Sequence, residues 1–315
     1  MRRAPDPEYR YEVEELVRLY KQAVADILDE LERLDISALS RAQSRAALAE
    51  VARILSELNE ESAAWVERNI PAAARDGVKA VLFELGVAAT MAEAEKIASF
   101  NHINEEAVAA AVADMQSDLL AVSQNIDRKV RAAVRQVTSE VMRENMTKGI
   151  SGRKTISREM LDRLRRRLGN AAYTGIIDAA GRRWRPDVYV DMLTRTKLMD
   201  VYHEAKINEA LSRDAYYGII STTATKDACR FHIGRIIKLT PEAPGPYITL
   251  DELRASNQIF HPRCVHTFST FRSPDRLPEA VREKAEKQAE LGDKALATGK
   301  KNPKEAEVRN EHYKQ

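Results

Sequence analysis

Glycine and proline are unevenly distributed along the 315-residue chain, and their distribution limits the folds open to its first half. Up to residue 148 the only glycines are Gly77 and Gly86, and the only prolines are Pro5, Pro7 and Pro71. Because these two residue types are the strongest breakers of regular structure, their scarcity predicts a nearly unbroken series of helices. Most of the breakers come later, so the second half is expected to mix helices with strands.

The spacing of apolar residues supports this prediction. Between residues 8 and 34 they recur at alternating steps of four and three, which places them on one face of a helix. A second helix is expected after an N-cap at Ser37, and a third contains Trp65 and stops at Gly86. A long helix is predicted from about 105 to 148. Helices of this length are typical of bundles, or of homo-oligomers in which another chain completes an apolar face.

Composition narrows the class of protein. Apolar residues make up 44% and charged residues 31%, which is not the composition of a disordered chain, and the net charge of +2 gives no global argument for nucleic-acid binding. The sequence has no apolar run long enough to span a membrane, and its start lacks the apolar core of a signal peptide. With only two cysteines, the chain is expected to fold in a reducing cytoplasm.

A glycine-rich segment at 149–152 is the clearest linker and divides the chain. The predicted regions are a helical region at 1–148, a small α+β module at 149–272 and a charged tail at 273–315. A β-hairpin is expected between Tyr173 and Trp184. The tail is poor in apolar residues, so we expect it to be extended or helical and to bury little. The predicted fold class is therefore mainly α, with a long-helix N-terminal region, a small α+β C-terminal module and a charged tail.

Two clusters of arginines are candidate contacts for nucleic acid. A short basic helix is predicted between an N-cap at Ser157 and a stop at Gly169, and a second basic group falls in the hairpin. Runs of this kind also occur on ordinary solvated helix faces, so both interpretations stay open. The candidate residues are Arg163, Arg165, Arg166, Arg167, Arg182 and Arg183.

The chemically distinctive part of the sequence lies between residues 221 and 271. It contains both cysteines and three of the six histidines, arranged as Cys229-x2-His232 and, further on, His261-Pro-x-Cys264-x-His266. Two short ligand pairs separated by a loop are typical of a structural zinc site, and thiolate and imidazole suit Zn²⁺. The predicted ligands are Cys229, His232, Cys264 and His266, with His261 as a substitute.

Other interpretations of these residues remain open. The cysteines and histidines also fit a small hydrogen-bonded core in which the thiols act as small apolar groups. A Cys–His nucleophile assisted by Asp227 or Glu252 would make the chain an enzyme. A metal-dependent nuclease is the nearest enzyme class, but the sequence lacks the motifs of the common hydrolases and phosphate-binding proteins. The chain is therefore predicted not to be an enzyme.

Several motifs in the second half occur together in a known family. They are a D-x-x-G-R-x-W turn, a helix that begins Y-x-x-M-x-x-R-T, a Cys followed by a Gly-containing turn, and a final H-x-x-C-x-H. The residues that carry them are Asp178, Gly181, Arg182 and Trp184; Tyr189, Met192, Arg195 and Thr196; Cys229 and Gly234; and His261, Cys264 and His266. Over residues 150 to 272 the chain resembles the minor capsid proteins of tailed bacteriophages (the minor capsid protein 2 type), which are related to Mu F-like head-morphogenesis proteins. Many of those relatives have cysteine where this chain has His232 and His266.

The resemblance implies a structural role in the phage virion. It predicts a low-copy protein inside the head near the portal, assembled in the host cytoplasm. The implied partners are the portal protein, the major capsid protein and the packaged DNA. One alternative is a DNA-associated protein that is ejected with the genome, and a less favoured one is a metal-dependent nuclease.

Overall fold

The computed structural model of the protein describes residues 2–151, 158–173, 176–177 and 181–309. The contacts group the chain into two compact units. We call the first the sheet unit (Met1–Tyr9, Asn69–Ala111 and Arg195–Gln315) and the second the helical unit (Arg10–Arg68 and Val112–Thr194). The predicted domain limits at residues 148 and 272 stay a prediction.

The predicted fold class is confirmed: the described residues are mainly helical, with one small antiparallel sheet. The helices are α1 (Arg10–Glu32), α2 (Arg41–Glu84), α3 (Met91–Ile97), α4 (His102–Ser151), α5 (Arg158–Tyr173), α6 (Pro186–Leu211), α7 (Leu250–Ser256), α8 (Glu279–Ala297) and α9 (Glu305–Arg309). The strands are β1 (Ile176–Ile177), β2 (Arg183–Trp184), β3 (Tyr217–Ile220), β4 (Ile236–Lys238) and β5 (Phe268–Phe271). Short 3₁₀ helices cover Ile36–Ala38, Ala228–Phe231 and Pro274–Arg276. None of the described helices is long and apolar enough to cross a membrane.

The helical unit is held together by the apolar face of α1 and by polar contacts that fix the helices against it. Seven side chains of α1 are buried, and Tyr20 among them donates a hydrogen bond of 3.1 Å to the carbonyl of Leu119 on α4. The indole of Trp65 on α2 donates to the carbonyl of Glu12 at 3.1 Å. The amphipathic pattern thus locates the core, and the two aromatic donors satisfy their polar atoms inside it.

The division of the N-terminal helices differs from the prediction. The second and third predicted helices are one continuous helix, α2, with Pro71 inside it. The neighbours Ile70 and Ala74 are fully buried, and this packing outweighs the hydrogen bond that proline removes. The predicted cap at Ser37 is wrong, because Ser40 exchanges hydrogen bonds with Gln43 three residues later at the start of α2.

The two helices around the predicted linker are longer than expected. Helix α4 begins three residues before the predicted start at 105 and continues to Ser151. Helix α5 does not stop at Gly169 but runs to Tyr173, because the apolar face that buries Leu164 and Leu168 continues to Ala172. The predicted cap Ser157 and the linker residue Gly152 lie outside the described residues. The predicted hairpin is confirmed, with Ile176 paired to Trp184 in antiparallel β1 and β2.

The sheet unit is built around an antiparallel sheet of order β4-β3-β5. Gly218, in the central strand, pairs with Ile237 and Thr270. A Cβ atom at this position would lie only 2.9 Å from the side chain of Phe268, so glycine is needed for the close approach of that ring. Phe268 is fully buried, and the core of the sheet unit forms around it.

The charged tail packs more closely than its composition predicts. Helix α8 buries Ala285, Gly292 and Ala295, and Val308 of α9 joins Ala295 in a small cluster with Phe231. The expectation that the tail buries little is therefore wrong. Small residues on one face let the helix backbone approach the module closely, and a count of large apolar residues does not detect such a face.

One buried carboxylate serves as the shared acceptor of several segments in the sheet unit. Glu84 pairs with Lys206 on α6 at 2.9 Å, and both side chains are 1% exposed. Its other oxygen accepts from the backbone N–H and the hydroxyl of Thr270 at 2.8 and 2.9 Å. The amide of Ala4 in the N-terminal segment lies 3.4 Å from the first oxygen. Because these groups are buried, Glu84 supplies hydrogen-bond partners that water does not, although Lys206 also lies 3.5 Å from the hydroxyl of Tyr202.

We expect Glu84→Ala to lower the free energy of unfolding by about 3–5 kcal/mol, because it leaves the Lys206 ammonium buried without its counter-ion. Urea denaturation followed by circular dichroism measures the change. The matched control is Glu95→Ala, which removes the carboxylate paired with Lys79 on the surface and should cost less than about 1 kcal/mol. Equal losses in the two variants would contradict the role given to Glu84.

Candidate metal centre

The first half of the candidate site is a 3₁₀ helix, Ala228–Phe231, in the sheet unit. Asp227 caps it: one carboxylate oxygen accepts from the amide of Cys229 at 3.2 Å and from the hydroxyl of Thr225 at 2.6 Å. These bonds fix the backbone of Cys229, whose side chain is buried. Local capping chemistry thus places one thiol at a defined point.

The second half is the turn that leads into β5. The amide of Cys264 donates to the carbonyl of His261 at 2.9 Å and closes the turn. Phe260 and Arg263 both have positive φ, 56° and 66°, a region that side-chain-bearing residues seldom occupy. His266 follows immediately and precedes Phe268, the first residue of β5. The turn is therefore a strained segment held by its surroundings, as is common at functional sites.

These two segments bring four potential ligands together. The Sγ atoms of Cys229 and Cys264 are 3.8 Å apart, and Nε2 of His261 lies 3.3 Å from Sγ of Cys229. Nδ1 of His266 lies 3.4 Å from Sγ of Cys264. The ligand atoms of Cys229, His261 and Cys264 all lie within 4.8 Å of one another. Both cysteines are free and buried.

Each of the two histidines has a second hydrogen-bond partner on its other ring nitrogen. Nδ1 of His261 lies 2.9 Å from the carbonyl oxygen of Pro262. Nε2 of His266 lies 3.0 Å from the carbonyl oxygen of Thr223. Both rings are therefore oriented by backbone acceptors, one from the next residue and one from a segment distant in sequence.

His232, a predicted ligand, makes a different set of contacts. Its Nε2 lies 2.9 Å from the side-chain oxygen of Gln258, whose amide donates to the carbonyls of Ala295 and Lys300 at 2.9 and 2.7 Å. A Cβ atom on Gly292 of α8 would lie 3.0 Å from Nδ1 of His232. His232 thus connects the module to the tail.

The two thiols influence each other's ionisation. A hydrogen bond from Cys229 to the Cys264 sulfur lowers the pKa of Cys264 to about 4, against the effect of burial and with help from His266. The same contact with Cys264, together with burial and Asp227, raises the pKa of Cys229. Burial disfavours the charged form of His266, but the Cys264 thiolate outweighs it and raises the pKa of that imidazole. The pair therefore favours one thiolate, on Cys264, and one thiol.

The arrangement does not match that of a catalytic Cys–His–Asp triad. Asp227 lies 3.4 Å from Nε2 of His261, the same nitrogen that faces Cys229, whereas a triad acid binds the opposite nitrogen. The pKa of the Cys229 thiol is raised by its bond with Cys264, the reverse of what activates a nucleophile. The pKa of Cys264 is lowered, but the other nitrogen of its partner His266 contacts the carbonyl of Thr223 and no carboxylate of a described residue. The other proposed acid, Glu252, forms the capping box of α7 with Thr249. The geometry favours metal binding or a hydrogen-bonded core.

The candidate nucleic-acid contacts lie in the helical unit, where some of the arginines are exposed and others are paired with acidic or aromatic side chains. Arg163 and Arg166 are exposed on α5, while Arg165 lies 3.9 Å from Asp162 and Arg167 forms an ion pair with Glu140 on α4. In the hairpin, the guanidinium of Arg182 stacks on Trp184, 5.3 Å from the ring centroid, and Arg183 is exposed. Partial burial, reinforced by the positive charges of Arg183 and Arg128, lowers the pKa of Lys129. Arg183 therefore lies near Lys129 and Arg128, while Arg167 is already paired with an acidic side chain.

Sequence reasoning missed the residues that orient the site. Gln258 and Gly292 have no motif of their own, and the acceptors for His261 and His266 are backbone carbonyls, which any residue provides. The N-cap role of Asp227 is the one signal that was readable, because aspartate immediately before a short helix is a common cap. Asp178, part of the turn motif, lies outside the described residues.

The described residues form a mainly helical protein with a small α+β module. The chain belongs to the phage minor capsid protein 2 family, whose sequence profile matches residues 6–311. It is thus a structural protein of the phage virion that assembles with other head proteins. The match includes the N-terminal helices, where the sequence resemblance had not reached. No curated protein and no solved structure shows significant similarity to the chain.

Burial of His232 generates a prediction about acid stability. Burial lowers its pKa to about 4, with Gln258 opposing and Arg235 reinforcing the shift. In the unfolded chain this imidazole takes up a proton near pH 6.5, whereas in the folded chain it stays neutral until about pH 4. Its contribution to the free energy of unfolding is therefore fully present above about pH 6.5 and is lost as the pH falls toward about 4. Between about pH 7.5 and about pH 5 this residue should account for about 2 kcal/mol of lost stability.

The variant His232→Gln retains a hydrogen-bond donor for Gln258 but has no group that titrates. Between the two pH values its free energy of unfolding should therefore fall by about 2 kcal/mol less than that of the parent protein. Urea denaturation at the two pH values measures this difference. His102→Gln, at an exposed position, controls for the substitution itself. An unchanged acid sensitivity in His232→Gln would show that another group is responsible.

Proposed function

We propose that this chain is a low-copy component of the head interior, positioned near the portal, where it contacts the portal protein or the major capsid protein. Family membership supports the capsid role in general. The observation that supports a partner contact is a long groove on the helical unit between α2 and α4. We propose that an acidic amphipathic helix of another head protein occupies this groove.

The groove consists of two adjoining depressions of about 560 and 460 Å³. They share Ala52 and Arg131, so they are continuous along the two helices. Their lining extends from Arg41 to Asn59 on α2, which is about 27 Å at about 1.5 Å per residue. That length accommodates a helix of about 18 residues, the usual form of helix-in-groove recognition.

The lining chemistry defines the partner. Leu48, Ala49 and Met142 contribute apolar surface. The hydroxyls of Ser44 and Thr138 bond to each other at 2.7 Å, so neither needs a partner from outside. The rim is basic and is formed by Arg41, Arg45, Arg131 and Arg135. Within the described part of the chain, only Arg131 of these four has an acidic partner, Asp127. An apolar floor with arginines along its edge complements a helix with one apolar and one acidic face.

The Arg45→Glu/Arg135→Glu variant should reduce the amount of this protein in assembled heads about tenfold or more, because two rim ion pairs become repulsive. Quantitative mass spectrometry of purified heads measures the ratio to the major capsid protein. The charge-matched control Arg18→Glu/Arg33→Glu, on exposed positions of the same unit, should be incorporated normally. Arg45→Lys/Arg135→Lys should retain most of the incorporation.

Normal incorporation of the glutamate variant would reject the groove as the docking surface. Cross-linking mass spectrometry on intact heads identifies the occupant directly. Links from Lys129, which neighbours the groove residue Arg128, to an acidic helix of the portal or major capsid protein would support the proposal. Links to a second copy of this chain would instead indicate a homo-oligomer.

A second function is favoured by the basic residues of α5 and the hairpin. Arg163, Arg166 and Arg183 are exposed, and Arg183 contributes to the positive potential around Lys129. Such a group suits contact with phosphate oxygens of packaged DNA, and it fits a protein that leaves the head with the genome.

The two functions differ in what happens when the genome leaves the head. As a fixed capsid component, the protein should be present at the same ratio to the major capsid protein in full heads and in heads emptied by triggered ejection. Immunoblotting of both particle types measures this ratio. Loss of the protein from the emptied heads would favour the ejected, DNA-associated alternative and contradict the proposal made here.

A further inference from the structure

We propose that Cys229, His261, Cys264 and His266 bind one structural zinc ion. This ligand set differs from the one that sequence spacing suggests, because it includes His261 and leaves out His232. The inference concerns the sheet unit alone and does not depend on which head protein the chain contacts.

The separations between the ligand atoms support a tetrahedral site. Zinc lies about 2.3 Å from a thiolate and about 2.0–2.1 Å from an imidazole nitrogen, which puts two sulfurs about 3.8 Å apart and a sulfur and a nitrogen about 3.5 Å apart. The observed Cys229–Cys264 distance is 3.8 Å, and the two sulfur–nitrogen distances are 3.3 and 3.4 Å. The ligand atoms of Cys229, His261 and Cys264 are all within 4.8 Å of one another, whereas Nδ1 of His266 contacts Cys264 but lies outside this group, so its ring has to move toward the other two ligands to complete the site. A disulfide would require the sulfurs to be about 2.05 Å apart.

The histidine tautomers also favour zinc binding. A carbonyl oxygen only accepts hydrogen bonds, so Nε2 of His266, facing the carbonyl of Thr223, carries the proton. Nδ1 of His261 donates in the same way to the carbonyl of Pro262, and its Nε2 faces both Sγ of Cys229 at 3.3 Å and the carboxylate of Asp227 at 3.4 Å. In the neutral rings this leaves the lone pairs of Nε2 of His261 and Nδ1 of His266 directed at the two sulfurs. Backbone acceptors that fix a ring in its metal-binding tautomer are the usual second layer of a zinc site.

Charge balance also favours zinc at this buried position. Two thiolates neutralise Zn²⁺, and two neutral imidazoles add no charge, so the complete site carries no net charge into the core. Binding releases to solvent any proton that the two ligand thiols hold. Sulfur and imidazole ligands select zinc over calcium and magnesium, which prefer oxygen.

His232 is excluded by its own contacts. Its Nε2 is engaged with the side-chain oxygen of Gln258 at 2.9 Å, and its Nδ1 faces Gly292 of α8. These neighbours direct the ring toward the tail. The spacing Cys-x2-His is therefore misleading here, because the 3₁₀ helix places residues 229 and 232 in different surroundings.

The ion would join two segments that are distant in sequence. One is the 3₁₀ helix that carries Cys229, and the other is the turn before β5 that carries His261, Cys264 and His266. The same 3₁₀ helix packs Ala228 and Phe231 against the tail. Zinc would thus fix the segment on which α8 and α9 pack, and it would offset the strain at Phe260 and Arg263.

The experiment uses the full chain purified under reducing conditions from zinc-supplemented cells. Elemental mass spectrometry should find about one zinc per chain. After chelation, titration with CoCl₂ should give thiolate-to-cobalt charge-transfer absorption and the strong visible bands of a tetrahedral ion, and ZnCl₂ should displace the cobalt. The chelated protein should melt at a lower temperature and recover on addition of ZnCl₂. Purified protein that contains no zinc, and whose melting temperature does not change on addition of chelator or ZnCl₂, would overturn the proposal.

Matched variants distinguish the two ligand sets. Cys264→Ser, His261→Asn and His266→Asn should each bind cobalt at least tenfold more weakly or lose its tetrahedral spectrum. His232→Asn should keep both the stoichiometry and the spectrum. Because each variant is compared through the cobalt spectrum as well as through melting, a folding defect is separated from the loss of a ligand. Loss of the spectrum in His232→Asn, or its retention in His261→Asn, would refute the assigned set.

Discussion

The buried carboxylate of Glu84 is the interaction on which the sheet unit depends. It joins the end of α2 to α6 through Lys206, to β5 through Thr270 and to the N-terminal segment through Ala4. A buried ion pair is stable only when the other hydrogen-bonding positions of its groups also have partners. Here the backbone of a strand supplies a donor to the carboxylate. Together with its pairing to β3, this contact positions β5, which follows the turn that carries His261 and Cys264.

Two faces of one short helix in the module make different contacts. The 3₁₀ helix at residues 228–231 directs Cys229 toward Cys264 and directs Phe231 toward the tail. Gly292 lets α8 approach closely enough for Gln258 to reach the carbonyls of the tail. The site and the tail are therefore parts of one packing arrangement.

The helical unit offers a different kind of surface. Its inner faces are filled by aliphatic side chains and by Tyr20 and Trp65, whose polar atoms are satisfied within the unit. Its outer groove combines aliphatic surface with arginines that no described acidic residue neutralises, apart from Arg131. Membership in the phage minor capsid protein 2 family makes contact with other head proteins the general expectation, and the groove gives that expectation a defined location.

The sequence alone determined the fold class and the identity of most helices, because heptad spacing and the scarcity of glycine act locally along the chain. It also singled out both cysteines and the turn from His261 to His266, since clustered ligand residues are visible without coordinates. Tertiary structure decided what spacing could not: that α2 runs through Pro71, that the tail packs through Gly292, and that His261 rather than His232 faces Cys229. Each of these depends on contacts between residues far apart in the chain. Packing and hydrogen bonding across such distances override local preference, and a single sequence carries no direct record of them.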